Sequence, residues 1–233
     1  MLWQMPESFP ILRPKQVHIW YAQLKRREKD FIGFLNAQEK LRASKFIAAS
    51  ARNNFIVARG ILRHLLGRYL GVKPQDLLLR QNRYGKLYLD ASVQFNISHS
   101  QGLGLFAFTQ NHVIGVDIEF IRTNFDFVAI AQRFFSPTER SSLLSLPADH
   151  QAAAFFHCWS RKEAFIKALG KGLFCELDSF SVEVSRQKFG RLQLHSNSNN
   201  NWSLEALYPA DGFVGAFATA YCDYTASFYR FEL

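Results

Sequence analysis

Twice along this chain a helical pattern gives way to a run of short strands, and that repeated order constrains the fold more than any single motif. From Asn36 to Tyr69 the pattern is helical, read as two helices broken near Ser44–Ala51. Phe55, Leu62, Leu65, Leu66 and Tyr69 recur at spacings of three, four and seven and form one apolar stripe. Gly71 and Pro74 close it. Strands are expected at 77–80, 86–89, 94–97, 105–109 and 113–121, with an earlier one at 17–22 after a leader marked by Pro6, Pro10 and Pro14. In the second half, Ser136-Pro137-Thr138-Glu139 supplies an N-cap serine, a first-turn proline and a glutamate three residues on, the start of a short helix that Pro147 stops. A longer helix is expected at 150–169, closed by Gly170, and strands again near 179–185, 192–194, 202–207 and 214–221. The polar run 196–201 predicts an exposed hairpin loop. The order predicts an α+β fold of two similar lobes, 1–120 and 121–233, joined near Phe120–Asp126.

The 233 residues are 48% apolar and 20% charged, values of a soluble globular protein, which excludes disorder. No stretch approaches the ~18 uncharged apolar residues of a membrane span. The first residues lack the basic-then-apolar build of a secretory signal. Cys158, Cys175 and Cys222 are odd in number and irregular in spacing, which excludes a disulfide framework and suits a reducing cytoplasm. The net charge of +9 is unevenly placed. Residues 1–115 hold 17 Lys/Arg against 6 Asp/Glu, and residues 116–233 hold 11 against 13. A polyanion docking on the first half is the expectation, whether nucleic acid, membrane surface or phosphorylated cofactor.

Three segments carry chemistry. In Val113-Ile114-Gly115-Val116-Asp117-Ile118-Glu119-Phe120-Ile121, strand alternation puts Val116, Ile118 and Phe120 on one face and Asp117 and Glu119 on the other. Two acids roughly 7 Å apart inside an apolar strand repel unless a cation lies between them, and Mg²⁺, which takes carboxylate oxygens and leaves room for phosphate, is a natural occupant. Alone, the pair fits a solvent-facing strand edge equally well. In the long helix, Glu163 and Lys167 stand at i and i+4 with Trp159 one turn earlier. On a lone helix that is a surface ion pair; beside two strand carboxylates it reads as a third metal ligand with a phosphate-binding lysine. Phe95-Asn96-Ile97-Ser98-His99-Ser100 ends a strand in hydroxyl and imidazole donors suited to phosphate oxygens, or forms a turn around a hydrogen-bonded histidine. Lys45, Arg52, Arg59 and Arg63 would share a face of a continuous helix, and a solvated face explains them as well.

In this order and spacing, Ser98-His99, the Gly-Val-Asp-Ile-Glu strand and Trp159…Lys162-Glu163…Lys167 resemble the 4′-phosphopantetheinyl transferase superfamily, in its longer two-lobed type. Tyr84-Gly85-Lys86, Arg133–Glu139 and Gly170–Leu173 extend the match over roughly residues 35–185. The resemblance implies Mg²⁺-dependent transfer, with Mn²⁺ the alternative ion, of the phosphopantetheine arm of coenzyme A to a serine of an acyl or peptidyl carrier protein. It implies Asp117, Glu119 and Glu163 as metal ligands, with Glu163 and Lys167 catalytic. Ser98, His99, Arg42, Lys40, Gly85, Lys86, Lys162 and Lys167 are implied for the cofactor. A cytoplasmic monomer, with no nucleic-acid or membrane partner, completes the expectation. The rival is a metal-dependent nuclease or a basic nucleic-acid-binding protein, since strand acids beside a helical Glu and Lys fit those too. Against the rival, the basic surplus is confined to one half and no Lys/Arg-rich tail is present.

Overall fold

Two helices of 22 residues each, α2 (Ala49–Leu70) and α5 (Ala148–Leu169), lie on the outer faces of two sheets that pack against each other. The computed structural model describes residues 2–172, 175–184, 191–193 and 202–233. Around these helices run β1 (Gln16–Gln23), α1 (Ala37–Ser44), a short hairpin of β2 (Arg80–Gln81) and β3 (Leu87–Tyr88), β4 (Val93–Ser100), β5 (Leu103–Gln110) and β6 (Ile114–Phe120). Then follow α3 (Phe127–Phe134), α4 (Pro137–Leu144), and after α5 the strands β7 (Arg191–Gln193), β8 (Ser203–Leu207), β9 (Phe213–Thr219) and β10 (Thr225–Arg230). The fold is α+β, as expected.

The first sheet has the order β10-β1-β5-β4 and the second β6-β9-β8-β7. Alternation along the strands builds three apolar layers. Trp20, Phe95, Phe106 and Phe108 face α2, and Val17, Ile19, Leu105 and Ala107 face the second sheet across Val116, Ile118 and Phe217. Ala216 and Ala218 face α5. Each fully buried Phe or Leu contributes roughly 1.5–3 kcal/mol by leaving water, so these layers dominate the stability.

The chain does not divide at residue 120. β6 pairs antiparallel with β9 in the second sheet, and β10 returns to pair parallel with β1 in the first. The expected lobes 1–120 and 121–233 therefore each give a strand to a sheet of the other, β6 to the second and β10 to the first. The two helices expected in 36–69 and the break between them are present, and Glu139 and Ser136 form a reciprocal capping box at the start of α4. The strand expected at 179–185 is not formed among its described residues. A 3₁₀ turn, Leu177–Ser179, gives way there to extended chain held by α4 and α5. Neither α3, capped by Asp126, nor β10 was anticipated. The 196–201 loop lies outside the described residues. Among the described residues no helix is long and apolar enough to cross a membrane.

Candidate active site

The site begins with a glycine. Gly115 shares a face of β6 with Asp117 and Glu119, and a Cβ there would lie 2.0 Å from the Ala164 carbonyl oxygen and 2.3 Å from the Ala168 nitrogen. Only glycine lets the α5 backbone rest on β6, and that contact sets Lys167, next to Ala168, above Asp117 two residues along the strand. Lys167 Nζ donates to Asp117 Oδ1 at 2.5 Å and to Ser98 Oγ at 3.0 Å, while Ser98 Oγ donates to the same Oδ1 at 2.8 Å. Helix, strand and the neighbouring sheet thus meet at one carboxylate oxygen.

β4 lies along β6 and grips it through every second side chain. Asn96 Oδ1 accepts from the Val116 amide at 2.9 Å, and Ser100 Oγ accepts from the Phe120 amide at 3.2 Å and reaches Glu119 Oε2 at 3.4 Å. These side chains satisfy backbone donors of β6 that would otherwise be buried unpaired. They also fix the register in which Ser98 meets Asp117.

The carboxylates bear on one another. Burial first, then the Asp117 charge, raises Glu119 to about 7. Burial raises Glu163 as well, with Lys167 opposing and Asp117 reinforcing. Burial pulls the Lys167 ammonium down, but Asp117, Glu163 and Glu119 outweigh it and hold the pKa above its ordinary value. Among the described residues no three His, Cys, Asp or Glu side chains already form a metal cage. The donors nonetheless fit a hard divalent cation that brings water and phosphate oxygens as its other ligands. Asp117 is buried, and its Oδ2 has no hydrogen-bond partner.

Two cavities meet at Lys167 and Ile97. One, of 230 Å³, lies between Gly85–Leu87, β4 and the end of α5, reaching Gly170 and Gly172. The other, of 390 Å³, is walled by Arg42, Phe55, Arg59, Ser98 and His99. Arg42 and Arg59 each stack on the Phe55 ring, at 5.2 and 5.7 Å. Partial burial and the Lys167 ammonium hold the His99 imidazole below its ordinary pKa. The 83–86 turn needs Gly85 at φ +87, and Lys86 Nζ crosses to the Ile114 and Ala168 carbonyls at 3.0 Å each. Gly85 and Lys86 line the smaller cavity, and the Lys86 ammonium, depressed to about 8 by burial, ties the hairpin to β6 and α5.

The structure brings together Asp117, Glu119, Glu163, Lys167, Ser98, His99 and Arg42. It does not bring Lys162 or Lys40. Lys162 is fully buried on another face of α5, where its ammonium meets Glu139 at 2.8 Å and donates to the Leu177 and Phe180 carbonyls. Its expected cofactor role is replaced by a structural one. Lys40 is exposed on α1 and outside the linings of both cavities. The basic run also separates. Arg63 is buried against Glu39 and the Pro74 and Leu77 carbonyls, Arg52 pairs with Glu28, and the helix is not continuous at Lys45. Arg59 alone of the four reaches the site. Sequence reading had it only as a member of that run, and its i, i+4 spacing from Phe55 was the available signal.

Residues 113–222 match the family model described as the 4′-phosphopantetheinyl transferase superfamily. The chain is 34% identical over 224 residues to 4′-phosphopantetheinyl transferase HetI of a Nostoc species, covering 93% of this chain and 92% of that one. With 4′-phosphopantetheinyl transferase Sfp of Bacillus subtilis it shares 32% identity over 197 residues, 83% and 86% of the two chains. A solved holo-[acyl-carrier-protein] synthase of Thermotoga maritima overlaps 46% of the chain and 62% of its own at 23% identity and a TM-score of 0.36. With the HetI match spanning nearly the whole of both chains, this protein belongs to the 4′-phosphopantetheinyl transferase superfamily.

Proposed function

We propose that the protein transfers the 4′-phosphopantetheine arm of coenzyme A to a serine hydroxyl of an acyl or peptidyl carrier protein, releasing adenosine 3′,5′-bisphosphate. The observation that carries this reading is the meeting of two cavities at Lys167. Cations line one of them, and the carboxylates of β6 and α5 stand where they join. Arg42, Arg59 and His99 would hold the 3′-phosphate, and Ser98 and Lys167 the diphosphate. The chain around Gly85 would line the adenine.

Asp117, Glu119 and Glu163 would hold Mg²⁺, which when bound polarises phosphoryl oxygens and spreads their developing charge. In the transfer, the serine oxygen forms a bond to the β-phosphorus as the bridging bond toward the α-phosphate breaks. The electron pair leaves with the nucleotide and the serine proton passes to Glu163. Burial raises its pKa and so favours its taking up a proton. Lys167 places a fixed positive charge beside the reacting phosphate. One chain supplies both sides of the cleft, which supports a monomer.

Incubation with coenzyme A, Mg²⁺ and an apo acyl carrier protein tests the reading by mass spectrometry. A carrier heavier by one phosphopantetheine supports it. An unmodified carrier, with cleavage of added DNA, would favour the nuclease alternative.

A further inference from the structure

The outer side of α1 carries a surface that the cleft does not use. On a 3.6-residue repeat, Glu39, Arg42, Ala43 and Phe46 fall on the inner side, and Lys40, Leu41 and Lys45 on the outer. Contacts agree. Glu39 meets Arg59 and Arg63, Ala43 is buried and Phe46 packs on Phe55, whereas Lys40, Leu41 and Lys45 are exposed. Leu41 is 60% exposed, and Ile47, in the link to α2, is 104% exposed. A single bare aliphatic residue needs no explanation, but here two stand six residues apart in one short segment that also exposes Lys40 and Lys45.

The acids nearby are already engaged. Glu39 faces the two arginines, and Glu28 pairs with Arg52. Lys40 and Lys45 have no carboxylate within ion-pair distance among the described residues. The same short helix turns Arg42 inward to the wall of the 390 Å³ cavity. A partner seated on this corner would therefore stand at the rim of the reaction site.

We propose that the α1–α2 corner docks the protein substrate. An acidic helix of the carrier lies over Leu41 and Ile47, with its carboxylates toward Lys40 and Lys45. The proposal rests on the transferase reading. Charge complementarity selects the occupant, since the unpaired charges of the corner are positive and stand beside its two exposed aliphatic side chains. Two aliphatic side chains are too few to anchor the protein in a bilayer, and neither offers a ring on which a base could stack.

Ile47→Glu and Leu41→Glu, measured with coenzyme A, Mg²⁺ and apo acyl carrier protein, test it. Both positions are exposed, so the variants should fold, and a melting curve checks this. Each should raise the KM for the carrier by about 10-fold or more, the cost of losing a contact at an interface centre, while kcat at saturating carrier and calorimetric coenzyme A affinity hold. Lys45→Glu should flatten the salt dependence of kcat/KM. An unchanged carrier KM in both glutamate variants overturns the proposal. So does sedimentation of wild-type protein with phosphatidylserine vesicles that Ile47→Glu abolishes, which would assign the corner to a membrane. A wild-type protein that binds coenzyme A yet modifies no carrier removes the transferase reading itself, and the docking surface with it.

Discussion

Asp117 uses one carboxylate oxygen twice and the other not at all. Its Oδ1 accepts from Ser98 and Lys167, while the buried Oδ2 has no partner. An unsatisfied buried acceptor costs about 1–3 kcal/mol, and such a cost persists where function uses the free atom. Asp117→Asn keeps the shape and removes the charge. It should lower turnover in the carrier assay by ~100-fold or more, as electrostatic contributions at phosphoryl centres are worth several kcal/mol. Glu163→Gln should do the same, and near-normal turnover there would remove Glu163 as the base. The 3′-phosphate gives a second test. His99→Ala, Arg42→Gln and Arg59→Gln should each cost about 10- to 100-fold with coenzyme A, the value of a charge-assisted hydrogen bond, and far less with dephospho-coenzyme A. Equal losses on both cofactors would make these residues supports of the wall. At this scale the strand parity of Asp117 and Glu119 and the i, i+4 spacing of Glu163 and Lys167 made the centre legible. Lys162 was not, because one residue along a helix turns about 100° around its axis and here leads into a buried polar network. No motif distinguishes those two faces.

Elements were legible where local chemistry decides them. The break between α1 and α2 and the Ser136–Glu139 capping box follow from residues within one turn of each other. β10 was not legible, because its partner β1 is some 200 residues away and its side chains are largely half-buried, leaving little period-2 contrast. Nor could sequence show that the 179–184 segment trades strand pairing for hydrogen bonds to Lys162 and Glu139. The packing of α5 on β6 gives the element-scale prediction. Gly115→Ala places a methyl against the Ala164 carbonyl and the Ala168 nitrogen, so the helix must move away from the strand. It should destabilise by about 1–3 kcal/mol in urea and also lower kcat, because the lifted helix carries Lys167 off Asp117. Gly33→Ala, where an added Cβ meets nothing within 4 Å, is the control and should leave both quantities near wild type. Equal behaviour of the two variants would contradict the close approach.

Across the whole molecule, the two sheets hold each other's strands, so neither half closes without the other. β1 lies between β5 and β10 near the centre of that exchange, and it carries a buried histidine. His18 Nδ1 lies 2.9 Å from the Tyr69 hydroxyl, which also accepts from Trp20 Nε1 at 2.8 Å. The hydroxyl carries one proton and two lone pairs, so the ring tautomer sets which of the two groups donates, and burial of the pair favours the uncharged imidazole. Burial accordingly lowers the His18 pKa from 6.5 to about 4. Between those values the unfolded chain binds a proton that the folded chain refuses. The contribution of His18 is therefore fully present above about pH 6.5 and is lost as the pH falls toward 4. From pH 7 to pH 5 the loss should be about 2 kcal/mol, from one and a half pH units at 1.36 kcal/mol each. Urea unfolding at both pH values, on wild type and His18→Gln, isolates it. The variant keeps a polar acceptor for Tyr69 and has nothing to titrate, so its stability should fall less over the interval by that amount. An identical fall in the two proteins would mean that His18 takes up its proton without disturbing β1.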